Sequence, residues 1–230
     1  MVDESCSIVF FGGAGVSTES GLPDFRSEDG LYSQRYRYPP ETMLSHSFFM
    51  AHTAEFYEFY RDKLLSPSVR PNAAHNKLAE LERAGKLTAI VTQNIDGLHQ
   101  MAGSQNVLQL HGSVHRNFCM KCRKSYDLEY IIKSAGVPMC TCGGTIKPDV
   151  VLYEEMLDEQ VLDAAVRAIM EADMLIVGGT SLAVYPAAGL INYYSGDRLV
   201  LINKSPTAYD GRANLRFSDS IGKTLLQIHI

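Results

Sequence analysis

The chain has 230 residues, a formal net charge of −5 and a sequence pI of about 5.8, with no basic tract. That balance excludes the electrostatic footprint of a nucleic-acid binder, so no nucleic-acid partner is expected. The length suits one α/β core carrying an inserted module, which buries roughly 70% of its unfolded surface without disulfides. The first apolar run is too short for a signal or a membrane span, so a cytoplasmic protein without membrane association is expected.

Ser7-Ile8-Val9-Phe10-Phe11 reads as a buried parallel strand. It breaks at Gly12-Gly13-Ala14-Gly15-Val16-Ser17, where glycines let the backbone approach a pyrophosphate and offer N–H groups at a helix start. A dehydrogenase fingerprint would put a third glycine at Thr18 and an acidic residue at the end of a second strand about 20 residues on. Gly21-Leu22-Pro23-Asp24-Phe25-Arg26 follows instead, and no strand crosses that turn, so an ordinary dehydrogenase is disfavoured.

Residues 29–66 interrupt the α/β pattern with an aromatic segment that is helical through 48–65. Apolar spacing through Ala74, Leu78 and Leu81 predicts a helix over 71–84, with Pro71 and Asn72 as start signals and Gly85 as the stop. It leads into residues 87–92, an apolar run that delivers Gln93-Asn94-Ile95-Asp96 to a strand end, where open α/β sheets bind ligands. Leu110-His111-Gly112-Ser113 follows. With these amide and carboxylate groups the His111 imidazole makes the kind of cluster that a reaction centre at a strand end shows. His75, at a helix start, reads as structural, and His46, His52, His99, His115 and His229 receive no functional role.

Four of the five cysteines fall in the spacing Cys119-x2-Cys122-x17-Cys140-x-Cys142. In a reducing compartment that spacing reads as one tetrahedral zinc, and four thiolates leave no open position, so the metal is expected to be structural. Cys6 reads as a small buried hydrophobe. Beyond the cysteines, residues 148–153 form an extended apolar stretch able to pair with a bound peptide through Val150, Val151, Leu152 and Tyr153. Helices over 157–170 and 186–194 alternate with strands over 174–177 and 199–202.

The expected fold class is therefore α/β: a Rossmann-like, mostly parallel sheet with helices on both faces, plus a smaller module. The large part covers about 1–28, 67–112 and 148–230. The small module joins the helical insert at 29–66 to the zinc-binding insert at 113–147, and the cleft lies between them. All of it forms one catalytic domain.

Gly13-Ala14-Gly15-Val16-Ser17, Gly21 through Arg26, Gln93-Asn94-Ile95-Asp96, His111-Gly112 and Gly179-Thr180-Ser181 occur in an order that resembles the sirtuin family of NAD-dependent protein lysine deacylases, of the small bacterial type. The likeness runs from about residue 8 to 221. It implies a monomer that removes acetyl groups from lysine side chains of proteins, with NAD as co-substrate and one structural zinc ion. In that reading His111, Asn94 and Asp96 are catalytic. His111 takes a proton from a ribose hydroxyl, Asn94 orients the ribose hydroxyls and a water, and Asp96 holds the nicotinamide carboxamide. Gln93 and Ile95 complete the nicotinamide side, while Phe25 and Arg26 lie on a closing loop. Gly13, Ala14, Gly15 and Ser17, with Gly179, Thr180 and Ser181, grip the pyrophosphate. Asn203, Lys204, Ser205 and Ile221 lie on the adenosine side.

Three positions depart from the family pattern. Gly12 stands where threonine is frequent and relaxes the turn. Glu154 stands where many relatives carry glycine, and its charge is expected near the cleft, favouring basic residues beside the target lysine. Relatives that remove succinyl groups carry Tyr-x-x-Arg; here Tyr57 is followed by Tyr60, with Arg61 one position late, which implies uncharged acyl groups, acetyl first. Two alternatives stay open: ADP-ribosyl transfer or NAD hydrolysis in the same cleft, and a non-catalytic module binding NAD or ADP-ribose. The presence of Asn94, Asp96 and His111 argues against the second.

Overall fold

The computed structural model describes residues 1–25, 30, 31 and 37–229. Its strands, in chain order, are β1 (Ile8–Gly12), β2 (Leu87–Thr92), β3 (Val107–Gln109), β4 (Gly112–Cys119), β5 (Ser125–Tyr126), β6 (Ile146–Val150), β7 (Met174–Gly178), β8 (Leu199–Ile202) and β9 (Leu215–Phe217). Six of them make a parallel sheet in the order β3-β2-β1-β7-β8-β9. The chain builds outward from β1 to β3 on one side and from β7 to β9 on the other. The point where strand order reverses therefore lies between β1 and β7.

Side chains of β1 alternate between two cores, as the twofold pleat requires. Ile8 and Phe10 pack against Ala74, Leu78 and Leu81 of α4 (Ala73–Arg83) and against Ile221 and Leu225 of α8 (Ile221–Leu225). Val9 and Phe11 face Ala165 and Ile169 of α7 (Glu159–Glu171) and the turn that carries Ala187, Ala188 and Ile191. Both faces are covered, so the strand is apolar at every position, and each buried phenylalanine contributes roughly 2–3 kcal/mol.

The helix over 71–84 is found at Ala73–Arg83. Asn72 caps it, accepting from the N–H groups of Ala74 and His75 at 2.9 and 3.4 Å, while His75 Nδ1 accepts from the Asn72 N–H at 3.2 Å. Gly85 ends it with φ +72°. Three expectations differ from the structure. The segment over 48–65 is two helices, α2 (His46–Ala51) and α3 (Thr53–Lys63), because the His52 backbone leaves the helical region and its ring stacks on Phe48 at 4.8 Å. The segment over 186–194 winds as a 3-10 helix (Ala187–Tyr193); Gly189 and the tyrosines make a weak α-helix, and four buried side chains set the tighter winding. Cys6 is exposed, its N–H held outside the strand by the Asp173 carboxylate at 2.7 Å.

A second, antiparallel sheet has the order β5-β4-β6. It shares one core with α2 and α3: Phe49, Phe56, Tyr57 and Tyr60 pack with Val114, Cys119, Ile146 and Val150, and with Ile131 of α6 (Leu128–Lys133). β6 carries this sheet to Val150, so Pro148 and Asp149 belong to it as well. Two short helices, α1 (Pro40–Met43) and α5 (Leu98–Met101), complete the chain. Among the described residues, no helix is long and apolar enough to cross a membrane.

Beneath the sheet, the rings of His75 and His99 meet edge to face at 4.8 Å. Both are buried, and burial lowers their pKa values to about 4 and about 3. His75 Nε2 and both nitrogens of His99 have no hydrogen-bond partner among the described residues. Their folded-state pKa values lie below the unfolded value, so between about pH 6.5 and pH 4 the unfolded chain binds the extra protons and stability falls as pH falls. Each ring is expected to cost roughly 2 kcal/mol at pH 5 relative to pH 7. Urea unfolding at the two pH values, compared with His99→Leu, checks this: the variant should lose about half of that acid sensitivity.

Candidate functional site

The chemistry-bearing segments leave the carboxyl ends of β1, β2, β3, β7 and β8, around the reversal between β1 and β7. There two backbones touch. The Gly15 N–H donates to the Gly179 C=O at 2.8 Å, and a Cβ on Gly15 would lie 2.8 Å from Gly179 Cα. Gly13 is held to glycine by Thr180, whose Cβ would be 2.8 Å from an added methyl, and Gly179 takes φ +60° against the Val16 nitrogen. The glycines therefore serve this seam. The N–H groups of Gly13 and Gly15 bond Gly178 and Gly179, and the helical turn that follows is only a 3-10 turn (Ala14–Val16), shorter than the helix start expected from the sequence.

Ser17, just after the seam, is the centre of a polar network. Its Oγ–H donates to Asp96 Oδ2 at 2.7 Å and accepts from Asn94 Nδ2 at 3.1 Å. The other Asp96 oxygen accepts from the Leu98 N–H at 2.9 Å, capping α5. Gln93 reaches the opposite wall, its Nε2 donating to Thr180 Oγ1 at 3.0 Å. Ile221, the first residue of α8, lies against Gly178 and Gly179. Asn203 follows β8, its Nδ2 donating to the Ser205 C=O at 2.7 Å across the turn that contains Lys204. Phe25 and Ile95, both partly buried, pack against the small-module core. Ala14 and Ser181 lie on the two loops at the seam. Arg26 falls outside the described residues.

His111 follows β3. Its Nδ1 lies 2.9 Å from the Gln93 carbonyl, which only accepts, so Nδ1 carries the proton and Nε2 keeps its lone pair. Burial lowers its pKa below the ordinary 6.5, partly opposed by the Gln93 bond, so the ring is neutral at pH 7. Gly112 takes φ +76°, and a Cβ there would fall 1.9 Å from the Asp149 C=O. Only glycine allows β4 to start against β6 directly after the imidazole.

His115, given no role from the sequence, has one in the structure. Its Nε2–H donates to the Asp96 C=O at 3.0 Å, and its ring occupies the space that a Cβ on Gly97 would need. The glycine after Asp96 was the available signal, since its φ of +76° marks a turn closed by a neighbour.

Residues 148–153 are not one free edge. β6 ends at Val150, the Val151 N–H donates to the His111 C=O, and Tyr153 pairs with the backbone at 44–46, its N–H going to Leu44 and its C=O accepting from His46. Leu152 is buried and Tyr153 exposed. Both carboxylate oxygens of Glu154 accept from Ser47. Tyr57 and Tyr60 are both buried among the aromatics of α3, with the Tyr57 hydroxyl donating to the Ile146 C=O. Arg61 donates to the carbonyls of Ile131 and Gly136 at 3.0 and 2.7 Å.

The four cysteine sulfurs lie within 4.8 Å of one another, with Cys119–Cys142 at 3.5 Å and Cys122–Cys140 at 3.6 Å. A tetrahedral zinc with bonds of about 2.3 Å spaces sulfurs by about 3.8 Å, so the cluster fits one ion. N–H groups of Lys121 and Cys122 donate to Cys119 Sγ, and the Cys142 N–H together with the Tyr126 hydroxyl lowers the Cys140 pKa to about 5. A side chain on Gly144 would strike Cys119 Sγ at 2.7 Å. Bound there, zinc would tie β4 to the 140–144 turn.

A model of the Sir2 family matches residues 13–186 of this chain. A Clostridium acetobutylicum protein named NAD-dependent protein deacetylase is 66% identical, covering 98% of this chain and 94% of that one. A Clostridium tetani protein of the same name is 58% identical over 98% and 93%. Among solved structures, a Sir2 with deacetylated p53 peptide and 3′-O-acetyl-ADP-ribose superposes with a TM-score of 0.91 at 37% identity, covering 98% and 93%. A Sir2 with p53 peptide and NAD+ gives 0.87 at 39% identity over the same shares.

Two outcomes test this geometry. Gly112→Ala should cost several kcal/mol of stability by chemical denaturation, because a left-handed backbone and a carbonyl clash act together. Cys142→Ser, or treatment with a strong chelator, should release one zinc per chain and lower the melting temperature together, as measured by metal analysis and calorimetry.

Proposed function

The chain belongs to the Sir2 family, and on that premise we propose that it removes acetyl groups from lysine side chains of proteins, consuming NAD as co-substrate. NAD supplies the electrophile, a ribose carbon whose nicotinamide departs as a neutral molecule. The protein must then exclude bulk water, orient the ribose and accept a proton from one of its hydroxyls. The reading is carried by one observation above all: a half-buried neutral imidazole whose Nδ1–H is committed to the Gln93 carbonyl, leaving Nε2 as a base, on the strand ends that also carry an organised amide and carboxylate.

Each neighbour has a job that follows from its bonds. Ser17 presents the Asp96 carboxylate and the Asn94 amide at fixed orientations, so that Asp96 can hold the nicotinamide carboxamide and Asn94 the ribose hydroxyls. Gln93, braced by Thr180, lies on the ribose side. Gly13, Ala14, Gly15, Gly179, Thr180 and Ser181 line the pyrophosphate seat, with Asn203, Lys204, Ser205 and Ile221 toward adenosine; Arg26 joins the cofactor side as a proposal from the sequence alone. Val150, Val151, Leu152 and Tyr153 carry the peptide. Arg61 is bound to two main-chain carbonyls, which supports a pocket for uncharged acyl groups. The enzyme acts as a cytoplasmic monomer on acetylated proteins.

Purified protein incubated with an acetylated peptide should release nicotinamide only when NAD is present, with O-acetyl-ADP-ribose as the product by mass spectrometry. Modified protein or free ADP-ribose as the main product would favour transfer or hydrolysis instead. His111→Asn should lower kcat by roughly 10²–10⁴ while leaving the melting temperature close to wild type. The acid limb of wild-type kcat/KM should fall below pH 6.5, because burial favours the neutral ring. Succinylated peptide should be turned over more slowly than the acetylated one.

A further inference from the structure

Glu154 takes φ +76°, the left-handed region that side chains disfavour and glycine occupies freely. A glutamate there needs compensation, and the structure supplies it. Glu154 Oε2 accepts from the Ser47 N–H at 2.9 Å, and Oε1 accepts from Ser47 Oγ–H at 2.9 Å. Ser47 is the second residue of α2, and the first N–H groups of a helix have no partner within it. Here the His46 N–H donates to the Tyr153 C=O and the Ser47 N–H to Glu154, while the Ser45 hydroxyl takes the N–H of Phe48. The start of α2 is thus completed by a segment 107 positions away in sequence.

The next residue fastens the same turn from the other side. Glu155 accepts from His46 Nδ1–H at 2.8 Å, from Lys147 Nζ at 3.0 Å and from the Leu152 N–H at 2.9 Å. Tyr153 also bridges to Ser45 in parallel register. The backbone run at 150–153 is therefore held at a set height over the helical insert by bonds on both of its flanks.

We propose that Glu154 is a positioning residue for the peptide substrate: its bridge to Ser47 clamps the 152–155 turn on α2 and so aligns the run that pairs with the peptide backbone. This rests on the reading that Val150, Val151, Leu152 and Tyr153 carry the peptide. The carboxylate acts through geometry, by its two bonds to Ser47 in the first turn of α2.

Steady-state kinetics and thermal unfolding of the whole chain separate the possibilities, using acetylated peptide and NAD. Glu154→Gly should raise the peptide KM about fivefold, on the scale of losing hydrogen bonds to a charged group, with kcat and the NAD KM within about twofold. Its melting temperature should hardly move, because relief of the left-handed strain offsets the lost bonds. Glu154→Ala should raise the peptide KM equally yet lower the melting temperature, since the strain stays. Ser47→Ala should give a smaller rise, and adding it to Glu154→Gly should change nothing more. An unchanged peptide KM in both Glu154 variants, or an equal rise in the NAD KM, overturns the proposal. Val151→Lys and Tyr153→Ala measured alongside tell two failures apart. If they raise the peptide KM while the Glu154 variants do not, only the clamp is wrong; if none of the four does, the peptide run itself is misassigned.

Discussion

Where β1 and β7 end, the backbone of Gly15 presses against that of Gly179, close enough that a methyl group on either would overlap the other loop. Two walls of polar groups are referenced to this seam. Ser17, two residues beyond it on one side, orients Asp96 and Asn94; Thr180, one residue beyond it on the other, braces Gln93. A wider seam would move the two walls independently, and hydrogen bonds near 3 Å do not survive such a shift.

The imidazole sits at a different kind of junction. His111 ends the run from β3 and is followed at once by β4, so it stands where the parallel sheet hands over to the antiparallel one. Gly112 makes that handover possible, and the Gln93 carbonyl fixes the tautomer. The ring is half-buried, and its desolvation lowers the pKa and favours the neutral form. Position and basicity thus have one cause. The same logic explains the depressed pKa values of His75 and His99 beneath the sheet, where His75 Nε2 and both His99 nitrogens have no hydrogen-bond partner among the described residues.

The small module is assembled from two distant stretches of chain that share an aromatic core. Its attachment to the cleft is polar: the turn after β6 completes the first turn of α2, and Glu155 joins His46 to Lys147. Apolar packing supplies most of the cohesion, being undirected, whereas these charge-assisted bonds set the register at which the pieces meet.

Strands with both faces buried were legible in sequence, because a parallel strand under two layers of helix is apolar at every position; residues 87–92 were found at those limits and β1 and β7 within a residue at their ends. The edge strands β3 and β9 were not, since three residues on a rim, half-buried or exposed, carry no such pattern. The cysteine cluster was legible for a related reason: metal ligation demands particular side chains at short separations along the chain. What the residues by themselves determined was therefore the inventory: which polar groups stand at the strand ends, which strands are buried, and that four sulfurs would gather. Only the tertiary structure decided what each group is bonded to. The glycines proved to serve a contact with Gly179, His115 a support for Asp96, and Glu154 a helix start 107 positions away, because such partners are chosen by proximity in space, which no local pattern along the chain encodes.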